Sequence, residues 1–263
     1  MKDKTSNGSK VGKRLGIALL VLGVAILAAF ATLIPTLSPE TPGMKSIGGA
    51  YATVYYEREE AAAQDVFTLM NAQSEHIAEM LGFDSPQDIK VYVYDDQSTF
   101  QTKKYGLVAL LLNMDWYIGD NRGTNVLLTS PANPGSAHTY DSVKNSGPHE
   151  MVHAYNSLLN KDMSLWVNEG LALYLANGDP RDDLYSTSYF VPSIEQTHTL
   201  NPVEFNEVGG YDFAYTYIEY LDETFGWEHV VSFARTNDYL DSFGEDEASL
   251  YDGWVDFLKT NYR

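Results

Sequence analysis

The hydrophobic pattern divides the chain into two unlike parts. Residues 15 to 34 read LGIALLVLGVAILAAFATLI, twenty residues without a charge, about the length that crosses a bilayer as a helix. Beyond residue 49 the apolar positions recur at strand and helix periods instead. Residues 51 to 56 (YATVYY) form a β-type run. Residues 58 to 81 place Val66, Leu69, Met70, Ile77 and Leu81 on one helical face, with Gly82 as a stop. Residues 89 to 94 (IKVYVY) alternate as a strand does, and a short helix starts at Asp96 and includes Phe100. The apolar run 107 to 112 suits either strand or helix. Residues 119 to 123 (GDNRG) read as a turn, 125 to 129 (NVLLT) as a strand, and 131 to 148 as a loop holding three prolines and two glycines. A helix is predicted from about 149 to 159, and another begins at Ser164 or Asn168. Residues 177 to 209 read as irregular, and helices near 211–225, 227–236 and 247–260 complete the chain. Strands alternating with helices, then helices alone, predict an α+β fold.

Charge orients the apolar run. The first fourteen residues carry five basic side chains and one acidic one, a net +4, while the whole chain carries −19, so residues 15 to 263 hold −23. The positive-inside rule then puts residues 1 to 14 in the cytoplasm as a basic tail and the acidic remainder outside. The pattern predicts a transmembrane signal anchor over 15 to 34 and a Pro/Gly/Ser/Thr-rich stalk over 35 to 49. The folded domain spans 50 to 263. A cleavable signal peptide is the competing reading: Ala29-Phe30-Ala31 offers a small-x-small site and would release a secreted protein. The acidity excludes nucleic acid as a partner, since that needs a basic footprint. Cysteine is absent, so the domain relies on its core and on any metal it holds.

The chemistry is concentrated in His149-Glu150-Met151-Val152-His153, an H-E-x-x-H sequence, followed by Asn168-Glu169-Gly170. Histidines four apart on a helix share a face and can bind one zinc ion. The glutamate between them can take a proton from an attacking water. Glu169 follows His153 by sixteen positions, close enough for the next helix to return it as a third ligand. Its segment, LWVNEGLALYL, is apolar enough to be buried, and a buried carboxylate needs a partner such as a cation. Three protein ligands with an open position define a catalytic zinc. Asn156 and Leu159 stand where the longer H-E-x-x-H-x-x-G-x-x-H pattern needs Gly and His, so the expected ligands of one zinc are His149, His153 and Glu169.

At these residues the chain resembles the gluzincin zinc metallopeptidases, and more closely the small peptidase MA-like domains. Those share H-E-x-x-H followed by W-x-x-E-G-x-A, here residues 166 to 172 (WVNEGLA). The likeness extends over roughly 51 to 235. It implies a zincin-like fold for 50 to 263: an N-terminal mixed α/β lobe with a small sheet, a C-terminal helical lobe, and the motif helix between them. It implies that an edge strand lines the cleft, with Val126 to Thr129 as the expected edge. It also implies Glu150 as general base. A tyrosine-bearing helix recurs at 210 to 221, making Tyr211 the first candidate donor to an oxyanion and Tyr215 the second. The G-x-M-E-N motif that anchors a free amine in zinc aminopeptidases is absent upstream of His149, leaving an endopeptidase acting on a peptide or protein as the expectation.

Two other readings compete. One is a non-catalytic peptide- or cell-wall-binding surface domain on the same scaffold, and the other a structural domain without metal. An intact Glu150 favours the enzyme, because binding zinc alone does not require it. His76, His138, His198 and His229 carry no spacing that assigns them a role. Trp166 and Asn168 flank Glu169 and fit helix-start and packing roles, with support of the ligands as the alternative.

Overall fold

The structure is a computed structural model describing residues 6 to 263 apart from 113, 177, 179, 188 and 189; the side chains of 6 to 12 and 187 are also left aside. Residues 1 to 5 of the predicted basic tail lie outside it. The apolar run forms α1 (Ser6–Thr32). No part of its apolar segment, Lys13–Thr32, is buried against protein.

The sheet explains the first half of the domain. Its strands are β1 (Lys45–Gly48), β2 (Ala52–Tyr56), β3 (Ile89–Tyr94), β4 (Gly119–Arg122) and β5 (Asn125–Thr129), in the order β1-β2-β3-β5-β4. The three inner strands run parallel and both outer ones antiparallel. Parallel neighbours need crossovers, and these are helical. Between β2 and β3 runs α2 (Glu60–Met80), which buries Ala63, Val66, Met70 and Ile77 against Val54, Val91 and Val126. After β3 comes α3 (Gln97–Tyr105), capped by the Asp96 side chain accepting from Thr99 N–H at 2.8 Å. Phe100 of α3 packs with Tyr92, Tyr94 and Leu127 on the opposite sheet face.

Three expectations are corrected here. The edge strand is β4, not residues 126 to 129, because β5 lies between β3 and β4. Residues 119 to 122 are that strand rather than a turn, and the chain reverses at Gly123. The motif helix, α4 (Tyr140–Leu159), starts nine residues before His149. It begins at a capping box in which Thr139 and Ser142 exchange backbone-to-side-chain hydrogen bonds of 3.1 and 2.9 Å. Pro148 sits inside it and removes only one helical bond.

Part of the segment read as a stalk also enters the fold. Beyond β1 itself, Lys103 Nζ donates to the Ser38 and Glu40 carbonyls at 3.0 and 2.8 Å, and the Tyr94 hydroxyl to the Pro39 carbonyl at 2.6 Å. The Arg122 guanidinium donates to the Thr36 carbonyl.

The second half is helical. It comprises α5 (Leu165–Leu175), α6 (Leu184–Thr187), α7 (Ile194–Thr197), α8 (Pro202–Glu207), α9 (Gly210–Phe225), α10 (Trp227–Thr236), α11 (Tyr239–Phe243) and α12 (Glu247–Asn261). Three short helices thus occupy the stretch read as irregular. Trp254 is fully buried, ringed by Trp166, Phe213 and Tyr217, and its indole N–H donates to Thr216 Oγ1 at 3.1 Å. This cluster fixes α5 against α9 and α12.

Candidate metal centre

Two helices bring the motif together. On α4, His149 and His153 stand one turn apart with their Nε2 atoms 3.0 Å from each other. From α5, Glu169 Oε2 lies 3.3 Å from His149 Nε2 and 3.5 Å from His153 Nε2. All three ligand atoms fall within 4.8 Å of one another. Although both imidazoles are close, Glu169 Oε2 is buried without a hydrogen bond. A buried carboxylate oxygen facing two ring nitrogens, with no N–H aligned on it, suits a cation at the shared point. Two imidazoles and one carboxylate form a donor set that fits zinc.

One outer contact fixes a candidate ligand. His153 Nδ1 lies 3.1 Å from Asn168 Oδ1, which also accepts from Asn156 Nδ2–H at 2.8 Å. Since that amide oxygen can only accept, Nδ1 carries the hydrogen and the neutral ring keeps a bare Nε2 for metal. Asn168 therefore orients a candidate ligand, while Trp166 packs in the core beside Phe205 and Trp254. Asn168→Ala should weaken zinc binding about 10–100-fold, measured by competition with a chelating indicator. Unchanged affinity would show that the contact does not orient the ring.

Close packing sets the depth of Glu169. A β-carbon on Gly170 would come within 2.5 Å of the Ala214 carbonyl oxygen and 2.8 Å of Ile218 Cγ1. The glycine lets α5 and α9 approach backbone to backbone. Gly170→Ala should destabilise the protein by about 1–3 kcal/mol, read as a lower urea midpoint at unchanged slope. The absence of any shift would mean the interface yields easily.

Glu150 projects from α4 beside the edge strand, where a β-carbon on Gly119 would lie 2.9 Å from Glu150 Oε1. The glutamate is 8% exposed. Burial pushes its carboxyl up to about 8; His153 opposes the rise, while Asp120 and Glu169 add to it. Asp120 on β4 was not singled out in the sequence, where it lay in an apparent turn. It is paired with Lys104 Nζ at 2.6 Å and lines a cavity of about 260 Å³ together with His149, Glu150, His153 and Glu169.

The remaining charges are coupled. Burial would push His153 down, but Glu169 and then Glu150 overcome it and hold the imidazole up at about 9. Burial, with the neighbouring His153 adding to it, holds His149 below its ordinary value, against the pull of Glu169. Glu169 is held well below the usual carboxylate range, because His153 and His149 outweigh the upward push of burial. Without metal, a proton on His153 balances Glu169. A divalent cation would do so instead.

The cleft, about 380 Å³, is lined by His149, Glu150, Gly119, Trp116 and Tyr211. Tyr211, in the first turn of α9, is 40% exposed and lies on its wall. Burial, then Glu169 and Glu150, push its hydroxyl up to about 12. Tyr215 packs instead on Tyr174, with ring centroids 5.3 Å apart, and lines a smaller side cavity. The other histidines are elsewhere. His76 is exposed on α2, and His138 contacts the Trp116 carbonyl at 2.9 Å. His229 contacts the Ser242 carbonyl. His198 pairs with Glu247 at 2.6 Å beside an enclosed cavity of about 50 Å³ in the helical lobe, lined by none of the three ligands.

No family model and no curated protein matches the chain. Among solved structures, two of LTA4 hydrolase from the yeast Saccharomyces cerevisiae are similar. They share 16% sequence identity with this chain over 82% and 84% of its length, with TM-scores of 0.44 and 0.46. The chain spans 36% and 39% of the length of those larger proteins.

Proposed function

We propose that this protein is a membrane-anchored zinc endopeptidase of gluzincin type whose cleft faces the extracytoplasmic side. The observation that carries the reading is the convergence of His149, His153 and a buried Glu169 oxygen that no hydrogen bond satisfies, with buried Glu150 next to His149 on the same helix. Zinc held by the three ligands would supply Lewis acidity toward a scissile carbonyl and toward water. Glu150 accepts the proton of the attacking water and later passes it to the leaving amine. Burial, which raises the Glu150 carboxyl, suits it to holding that proton between the two transfers. Tyr211 donates its hydroxyl hydrogen to the developing oxyanion.

The edge strand supports a polypeptide substrate. Among the described residues, no strand pairs with the outer side of β4. An extended chain can lie along it, held by main-chain hydrogen bonds. Asp120 is engaged by Lys104, which leaves it poorly placed to hold a free amino terminus and favours cleavage within a chain. The anchor reading draws on α1: its apolar segment has a mean hydropathy of 2.6 and no protein covering it.

The experiment is zinc per chain in the purified protein, followed by a peptide-library digest with and without chelator. One zinc and chelator-sensitive cleavage of internal bonds are expected. Zinc without cleavage of any peptide would leave the binding-domain reading, and failure to take up zinc on reconstitution would overturn the metallopeptidase.

A further inference from the structure

The segment after α3 exposes apolar side chains instead of burying them. Residues 107 to 112 read LVALLL, and only Ala109 among them is buried. Leu107, Val108, Leu110, Leu111 and Leu112 all face outward, Leu111 at 84% exposure, and Trp116, four residues further along, is exposed as well. A contiguous patch of this kind marks a binding surface.

Its place in the fold identifies what covers it. Gly106, which ends α3 with φ of 78°, abuts the end of α1: a β-carbon there would run into the Thr32 carbonyl oxygen. The apolar patch therefore begins where the apolar helix stops. Nor does a loose tether separate the two, since Arg122, Lys103 and Tyr94 hold the carbonyls of Thr36, Ser38, Pro39 and Glu40 against the domain. Charge narrows the choice further. With −23 beyond residue 14, the domain gains nothing from electrostatic attraction to anionic headgroups, so adhesion to a bilayer has to be apolar. Leucines with a tryptophan at their margin suit the boundary between headgroups and acyl chains.

We infer that residues 107 to 112, with Trp116, seat in the outer leaflet of the bilayer that α1 crosses. The inference rests on the anchor reading given above. It has a consequence for the cleft, because Trp116 lines it with His149 and Glu150. Leu112 and Trp116 are four residues apart, at most roughly 14 Å along an extended chain. The cleft is thereby held close to the lipid surface, where it meets polypeptide lying next to the membrane.

The chain has no cysteine, so single cysteines can be introduced cleanly. Full-length Leu111→Cys, Val21→Cys and Leu240→Cys proteins are labelled with an environment-sensitive fluorophore. Each is reconstituted into phosphatidylcholine vesicles with and without lipids bearing a spin-label quencher high on the acyl chain. Leu240 on α11 is an exposed leucine and serves as the aqueous reference. The inference expects quenching at Val21 and Leu111 several-fold stronger than at Leu240. Quenching at Val21 with equal signals at Leu111 and Leu240 overturns the inference and leaves the anchor standing. Loss of quenching at Val21 removes the anchor reading, and the inference with it.

Discussion

Glu150→Gln should reduce peptide turnover by about 10²–10⁴-fold while the protein still binds one zinc per chain. The substitution keeps the size and shape of the side chain and removes only its ability to accept and return a proton. Glu150 is not among the three converging ligand atoms, so the donor set survives. Its carboxyl is buried between Asp120 and Glu169, which disfavour another negative charge. A neutral amide there relieves repulsion and leaves stability equal or improved. Turnover at saturating substrate, zinc by elemental mass spectrometry and the urea midpoint together make the test. Full activity in the variant would exclude Glu150 as the proton carrier. Loss of zinc with activity would show that the residue belongs to the metal site. The outcome also separates the enzyme from a binding domain on the same scaffold, because peptide binding alone does not need a base at this position.

The residues legible in the sequence are those whose relations are local. His149 and His153 are one helical turn apart whatever surrounds them, and Glu169 needs only a short connection to return. Likewise β2, α2, β3 and β5 follow directly from alternation and amphipathic spacing. What escaped notice depends on partners distant in the chain. The edge strand β4 reads GDNR, polar and glycine-bearing, because an edge pairs through its backbone on one side and leaves its side chains half-buried. Its order beyond β5 follows from pairing, which residues 126 to 129 do not display. Gly147 and Pro148 suggest a break, yet the helix is already started by the capping box at Thr139, and Gly147 is buried against Met70 of α2. The Pro-rich stretch after α1 looks like a free stalk because its bonds are made by carbonyl groups, accepting from side chains 55 to 86 residues away in sequence. For residues 107 to 112, hydrophobicity was plain, but its outward direction is a property of the fold.

Zinc should be a large part of what holds α4 to α5. Folded protein binds the ion through groups that the unfolded chain does not bring together, so saturation stabilises the native state by mass action. At a free zinc concentration 1,000 times Kd the gain is about 4 kcal/mol. For a domain of this size that corresponds to a rise in Tm of roughly 8–16 °C. Stripping the metal returns Glu169 to dependence on a proton at His153, a weaker arrangement in which the Oε2 oxygen has no hydrogen bond. Glu169→Ala should behave differently in both states. The metal-free variant loses a buried charge and gains a small cavity, so its Tm stays near that of the stripped parent. Zinc then raises it little, because two imidazoles remain. Melting curves of the full chain in detergent, with chelator and with buffered zinc, give all four values. If the parent melts at one temperature under both conditions, the three residues do not form a zinc site. If Glu169→Ala responds to zinc as fully as the parent, the third ligand is not Glu169, and the approach of α5 to α4 serves packing alone.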